Sequence, residues 1–342
     1  MPIDSIDPHV QTAILLMLSL LGLYIACRMA MRAVIPPKTS SPGRRALCQW
    51  LPIAATALAA MFLKHPGIAL AVIIGTSVAY LSLVLGIATY VTPMDADLPR
   101  PKIWGFVLVP IVLVLLAGIG GVLTGWHAAM LLALGAVLAG VWRDDHRVEG
   151  SVTANRPDAG QAAILPNQWG QICFAVALAG IAAVAAIRGT IAAAQEARMS
   201  SETLAALSVL APMLTLPSLR SSVTVAERGD VNGAVSALVG TILLNFCLLL
   251  PAIDLLWYPV MKVGFNPFAA AQPAQIGNYY SPVMGLAYSS HLWQLETIAL
   301  AAIGFALVPI SLGRITLTRA ASATLVLAYA GYLAFIAWSE RG

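Results

Sequence analysis

Apolar residues along this chain come in blocks of about twenty rather than alternating with polar ones. That block length matches the ~20 residues a helix needs to cross the ~30 Å hydrocarbon core of a bilayer. Divided at proline, glycine and charge, the blocks predict ten helices: 11–35, 46–63, 67–92, 102–121, 123–142, 168–195, 200–227, 231–258, 287–312 and 315–338. Pro52 falls inside the second, and Pro212 and Pro217 inside the seventh. A proline there removes a backbone hydrogen bond and crowds the preceding turn, which predicts a kink or break. The longest polar stretch, Arg143 to Pro166, reads as a linker between two halves.

Composition strengthens this picture. Of 342 residues, 59% are hydrophobic and 10% charged, and the mean hydropathy is +0.84. Soluble domains carry about 25% charged residues, so the chain is expected to be an integral membrane protein. The opening MPIDSIDPHV has Asp4 and Asp7 but no Lys or Arg. It lacks the positive region of a cleaved leader, so the first helix is expected to be retained. The cysteines (Cys27, Cys48, Cys173 and Cys247) stand singly in apolar segments and read as small hydrophobes. GxSxG, HExxH, P-loop and CxxC patterns are all missing. The expectation is therefore no enzyme, no cofactor, no metal-ligand cluster and no nucleic-acid partner.

Charge sets the orientation. With the N-terminus outside, inner loops and helix ends hold Arg28, Arg32, Lys38, Arg44, Arg45, Arg100, Lys102, Arg143, Arg147, Arg156, Arg228, Arg314 and Arg319. The outer side holds Lys64, Arg198, Lys262 and Arg341. This excess of inner positive charge predicts both termini outside, in a membrane of the bacterial inner (plasma) type. The eight tryptophans all fall near predicted helix ends, where an aromatic belt belongs.

Within this pattern one arrangement recurs. Leu51-Pro52, 22 residues, then Gly75-Thr76 is repeated 165 positions later as Leu216-Pro217, 22 residues, then Gly240-Thr241. Five spans separate the copies, and because five is odd the second copy crosses in the opposite sense. The expected fold is an all-α polytopic membrane protein with ten transmembrane helices as an inverted 5+5 repeat. Residues 1–142 form the first repeat, 143–167 a polar cytoplasmic linker and 168–342 the second. Inverted repeats are a common plan of secondary transporters, with the site near the midplane where the repeats meet.

The motifs resemble a known family. Ser200-Ser201-Glu202, Leu216-Pro217, Ala226-Glu227-Arg228-Gly229-Asp230 and Gly240-Thr241 with Asn245 are similar to the second alpha repeat of the cation/calcium exchanger superfamily. That superfamily includes sodium/calcium exchangers and calcium/proton antiporters. Leu51-Pro52 through Gly75-Thr76-Ser77 to Tyr80 resembles a weaker first copy. The resemblance implies an exchanger-like fold over most of the chain. It also implies a central cation site with a carboxylate just after each helix-breaking proline. Here Ile53 and Ser218 stand at those positions. The family's Gly-Asn pairs become Ala71-Val72 and Ser236-Ala237, and only Asn245 keeps its amide, opposite Tyr80 in the first repeat. Ca²⁺ takes six to eight oxygens, carboxylates among them. A neutral pocket offers no charge to offset its dehydration.

The expected function is a cation antiporter-like secondary transporter with an altered site, coupled to a monovalent cation or a proton. The substrate-binding candidates are Thr56, Thr76, Ser77, Tyr80, Ser218, Arg220, Ser221, Thr241 and Asn245, with Pro52, Pro217, Gly75 and Gly240 shaping the helix breaks. Arg220 reads either as an anion-binding or tethered cation in the cavity or as a side chain reaching the inner interface. Ser221, Ser222 and Ser236 read equally as cavity lining or as small residues that let helices approach. Asp254 and Glu296 read as solvated positions near the outer surface. Arg188 lies at the outer third of its span, and the histidines are too dispersed to form a ligand cluster. The alternative is a transport-inactive homologue acting as a membrane partner or scaffold, which missing carboxylates in both repeats would also produce. Partners are the lipid bilayer, an ion or small molecule, and in the alternative another membrane protein.

Overall fold

The computed structural model of the chain describes residues 8–34, 42–94, 103–118, 122–153, 166–196, 202–263, 285–287 and 290–339. Ten helices account for nearly all of them: α1 (Pro8–Val34), α2 (Pro42–Phe62), α3 (Pro66–Val91), α4 (Ile103–Phe106 and Leu108–Gly118, interrupted at Val107), α5 (Gly125–Thr153), α6 (Pro166–Glu196), α7 (Glu202–Glu227), α8 (Val231–Val263), α9 (Ser290–Ser311) and α10 (Arg319–Ser339). Among the described residues, nine are long and apolar enough to cross a membrane, and Trp104–Gly118 within α4 is apolar but shorter. Every predicted span has its helix. Large apolar side chains such as Leu18, Ile181, Phe305 and Leu327 are more than half exposed, as expected of faces that meet lipid tails.

Two differences from the sequence reading concern the halves' edges. Helix α5 continues through Thr153, well into the predicted linker. The charged run after Trp142 contains no proline before Pro157, so nothing stops the helix where its apolar stripe ends. Residues 154–165 lie outside the described residues. The other difference is a two-stranded antiparallel pair, β1 (Val122–Thr124) with β2 (Gly285–Ala287), in the register Val122↔Ala287, Leu123↔Leu286 and Thr124↔Gly285. Strands this short carry no periodic signal in the sequence.

The repeat is visible in the backbone itself. Helix α3 is capped at His65 and α8 at Asp230, 165 residues apart. The turns that lead into them match bond for bond. Lys64 N–H donates to Met61 O and His65 N–H to Ala60 O; Gly229 N–H donates to Ala226 O and Asp230 N–H to Val225 O. These are the paired bonds of a Schellman turn, which needs a left-handed residue after the helix. Gly229 fills that position in the second repeat (φ 84°) and Lys64 in the first (φ 66°). A left-handed residue with a Cβ costs ~1–2 kcal/mol, partly offset by glycine's extra unfolded-state entropy. Lys64→Gly is therefore expected to stabilise the protein by roughly 1 kcal/mol, measured as a higher midpoint of thermal unfolding in detergent; an unchanged or lower midpoint contradicts it.

Each cap also ties to the opposite repeat. His65 Nδ1 lies 2.9 Å from Glu202 Oε2 at the start of α7, and Arg45 near the start of α2 lies 3.4 Å from Asp230 Oδ2. Asp230 Oδ1 also accepts from Gly233 N–H at 2.9 Å, a side-chain N-cap.

Burial ranks the helices. In α3 and α8, 94% and 89% of the spanning window is buried, against 22% in α1, 17% in α5 and 22% in α10. These two helices are therefore the centre of the bundle, flanked by α2 and α7, which also pack on them. In lipid the apolar effect does not bring helices together; close packing and hydrogen bonds do. Gly75 serves that purpose, since a Cβ there would stand 2.9 Å from both Ala211 Cβ and Leu207 Cδ2 of α7. Its repeat mate Gly240 makes room instead for the ring of Trp142 from α5.

Candidate ion site

Pro52 and Pro217, expected to break their helices, each sit inside a continuous helix instead. Without an N–H on Pro52, the carbonyl of Cys48 loses its usual helical donor. The Cys27 thiol of α1 takes that place, with Sγ 3.4 Å from Cys48 O. Thr241 of α8 supports the same stretch, donating within 3.3 Å of Ala46 O and Gln49 Oε1 as well as to Ala237 O. Thr56 closes the turn after the proline by donating to Pro52 O at 2.7 Å.

The two central helices widen at matched places. Tyr80–Val84 in α3 and Asn245–Leu249 in α8 form single wide turns of the π type, again 165 residues apart. Such turns are often found at functional sites. Here each begins on the residue that reaches across to the opposite repeat. Tyr80 Oη lies 2.8 Å from Ser218 Oγ of α7. Asn245 Nδ2 donates to Thr76 Oγ1 at 3.3 Å and to Ser77 Oγ at 3.1 Å, both on α3. All five side chains are fully buried.

The hydroxyl protons fix the sense of these bonds. Thr76 donates to Val72 O at 2.6 Å and Ser77 to Ile73 O at 2.7 Å. Their oxygens therefore accept from Asn245, which points its amide nitrogen at them and its Oδ1 away. Asn245 Oδ1 is buried with no hydrogen-bond partner. Leaving a buried acceptor unsatisfied costs ~1–3 kcal/mol. The centre thus offers oxygens and no formal charge: Ile53 and Ser218, the residues directly after the two prolines, are both fully buried and neutral.

Of the nine predicted binding residues, the structure brings Thr76, Ser77, Tyr80, Ser218 and Asn245 together across the repeats. Thr56 and Thr241 are fully buried but bond to the helix around Pro52. Ser221 is partly buried, and Arg220 lies on the exposed face, with Nη1 donating to Tyr24 Oη at 3.1 Å. Pro52, Pro217, Gly75 and Gly240 are all buried in the centre. Ser236 accepts from Trp104 Nε1 at 3.1 Å, so its hydroxyl serves a helix contact. Asp254 and Glu296 are not solvated positions: they are 8% and 0% exposed. Arg188 is exposed, as is Cys173, while the other three cysteines are buried. Sequence reasoning missed Gln49, 1% exposed and bonded to Thr241. Its signal was an amide three residues before a proline inside an apolar helix.

No group of three or more His, Cys, Asp or Glu side chains is arranged to hold a metal among the described residues. A narrow cavity beside the Tyr80 ring is lined by apolar side chains including Leu81, Leu85, Val235 and Leu238.

Known proteins place this fold. The chain resembles the solved structure of the H⁺/Ca²⁺ exchanger CAX at 16% identity, over 99% of this chain and 89% of that one, with a TM-score of 0.69. It also resembles the sodium–calcium exchanger NCX_Mj soaked with Na⁺ and Sr²⁺, at 16% identity over 98% and 99% of the two chains, with a TM-score of 0.54. The same exchanger in zero Na⁺ and Ca²⁺ matches with a TM-score of 0.54, at 16% identity over 96% and 99%. No curated protein matches the sequence significantly. Residues 169–338, α6 through nearly all of α10, match the family profile described as sodium/calcium exchanger protein. The second half of the chain thus carries the sodium/calcium exchanger profile, and the whole chain has the fold of the solved exchangers.

Proposed function

We propose that this chain is a secondary transporter of the cation-exchanger type whose central site handles a monovalent cation or a proton rather than Ca²⁺. The observation that carries this is the neutral centre. Ile53 and Ser218 stand where the family resemblance implies carboxylates, and the polar groups around them are hydroxyls and one amide. A monovalent ion loses far less on dehydration than a divalent one, and Asn245 Oδ1 is a buried acceptor with nothing to accept from. Thr76, Ser77, Tyr80, Ser218 and Asn245 are the binding groups of this reading, and the pairs between them open as the repeats rock against each other. Residues 1–142 and 168–342 are the two units, inverted because five helices make up each, with both termini outside.

One observation favours a second reading, an exchanger homologue without transport that serves as a membrane partner. The Tyr80 phenol closes on Ser218 where an ion would sit. Reconstitution into liposomes separates the two. The transporter reading expects flux driven by a Na⁺ or proton gradient and none that depends on Ca²⁺. Silence under all three gradients would leave the partner reading standing.

A further inference from the structure

Glu296 is the sole acid of α9 and is 0% exposed. A carboxyl inside a membrane-spanning bundle is costly, and such groups are commonly part of ion or proton pathways. Its depth follows from the packing. It lies fifteen residues before the end of α9, and Tyr332 lies thirteen after the start of α10, across the turn that joins them. At 1.5 Å per residue both are roughly 20 Å from that turn. Helix α10 packs on the end of α3 through Gly86, where a Cβ would meet Val326 Cγ2 at 2.8 Å and Ser322 O at 2.9 Å, and through Thr89, 2.8 Å from Ser322 Oγ. Followed back along α3, this register sets Tyr332 level with Ala79 and Tyr80. Glu296 is therefore about as deep as the central site, on another side of α3.

Two phenols accompany it. Tyr329 and Tyr332 are 4% and 8% exposed, their rings 6.1 Å apart, and neither hydroxyl has a hydrogen-bond partner. The Glu296 carboxyl is near enough to act electrostatically on Tyr332. A phenol hydroxyl donates to an ionised carboxylate and accepts from a protonated one, so it can serve both states of one acid. Other titratable groups nearby are few. Helix α4 has none, α3 has Tyr80, held by Ser218, and half-exposed Tyr90, α10 has Arg319 at its far end, and His291 precedes Glu296 by five residues on α9.

We propose that Glu296, with Tyr329 and Tyr332, forms a second intramembrane site that takes up and releases one proton and supplies the coupling proton of the transport cycle. The coupling role rests on the transporter reading above; the binding of the proton does not. Glu296 gains the proton as a neutral carboxylic acid and returns it to the same carboxylate, with no other bond changed.

Infrared difference spectra of the purified protein during a pH titration test the binding. The protonated-carboxyl band should be present at neutral pH, fade on alkalinisation, vanish in Glu296→Gln and persist in Asp254→Asn. Tyr332→Phe, which keeps the acid, should shift the titration midpoint. A band untouched by Glu296→Gln, a midpoint indifferent to Tyr332→Phe, or loss of the band on adding Na⁺ at fixed pH would overturn the proton site. In liposomes, Glu296→Gln should lower proton-driven flux at least about tenfold. Full proton-driven flux in that variant overturns the coupling role while leaving the transporter reading intact. A wild type that moves no ion overturns that reading and the coupling role together, and the titration still decides the site.

Discussion

Replacing Asn245 by leucine is expected to abolish cation flux in liposomes while leaving thermal stability equal to or above the wild type. The reasoning begins with the side chain's two ends. Its nitrogen bonds Thr76 and Ser77, but those hydroxyls already donate to their own helix and lose nothing essential without it. Its oxygen is buried and unsatisfied, a standing cost of ~1–3 kcal/mol. An apolar side chain of similar size removes that cost. A residue that weakens the fold in the resting structure is best explained by what it does when an ion arrives, a common exchange of stability for activity. Flux should fall at least tenfold, since ~1.4 kcal/mol of lost ion coordination already corresponds to that factor. Undiminished flux, or a markedly less stable protein, would mean that Asn245 is a packing element.

Tyr80→Ala is expected to produce the largest loss of stability of any single change at the centre. The ring is fully buried between the repeats and its hydroxyl holds Ser218. Deleting a buried aromatic costs ~3–5 kcal/mol, and the stranded serine adds to it. Tyr80→Phe keeps the ring and removes only the hydrogen bond, so it should cost ~1–3 kcal/mol. Thermal unfolding of both variants in detergent checks the order. Equal midpoints for the two would show that the ring is not packed as described.

The fold was largely legible because a bilayer demands long apolar blocks, and ten of them stand out between Pro8 and Ser339. The repeat was legible because its prolines and glycines do geometric work. Gly75 and Gly240 each admit a neighbour that a side chain would exclude. The wide turns at Tyr80 and Asn245 were not legible, since a turn with one extra residue leaves no mark in an apolar run. Nor was the face of Arg220, three residues after Pro217, because a proline disturbs the angular spacing that would place it. Glu296 misled for a related reason: its distance from the helix start suggested solvent, but it is fully buried with Tyr332 of α10 nearby, and Trp293, three residues before it, packs on Gly118. The site's neutrality, by contrast, could be read directly at Ile53 and Ser218.

The central claim is an exchanger scaffold whose site no longer suits a divalent ion. The most direct measurement is parallel uptake of Ca²⁺ and of Na⁺ into liposomes holding the purified protein, each with and without an opposing proton gradient. The account predicts gradient-driven movement of the monovalent ion and no Ca²⁺ uptake above that of empty liposomes. Ca²⁺ uptake that depends on the protein and on a Na⁺ or proton gradient would contradict it.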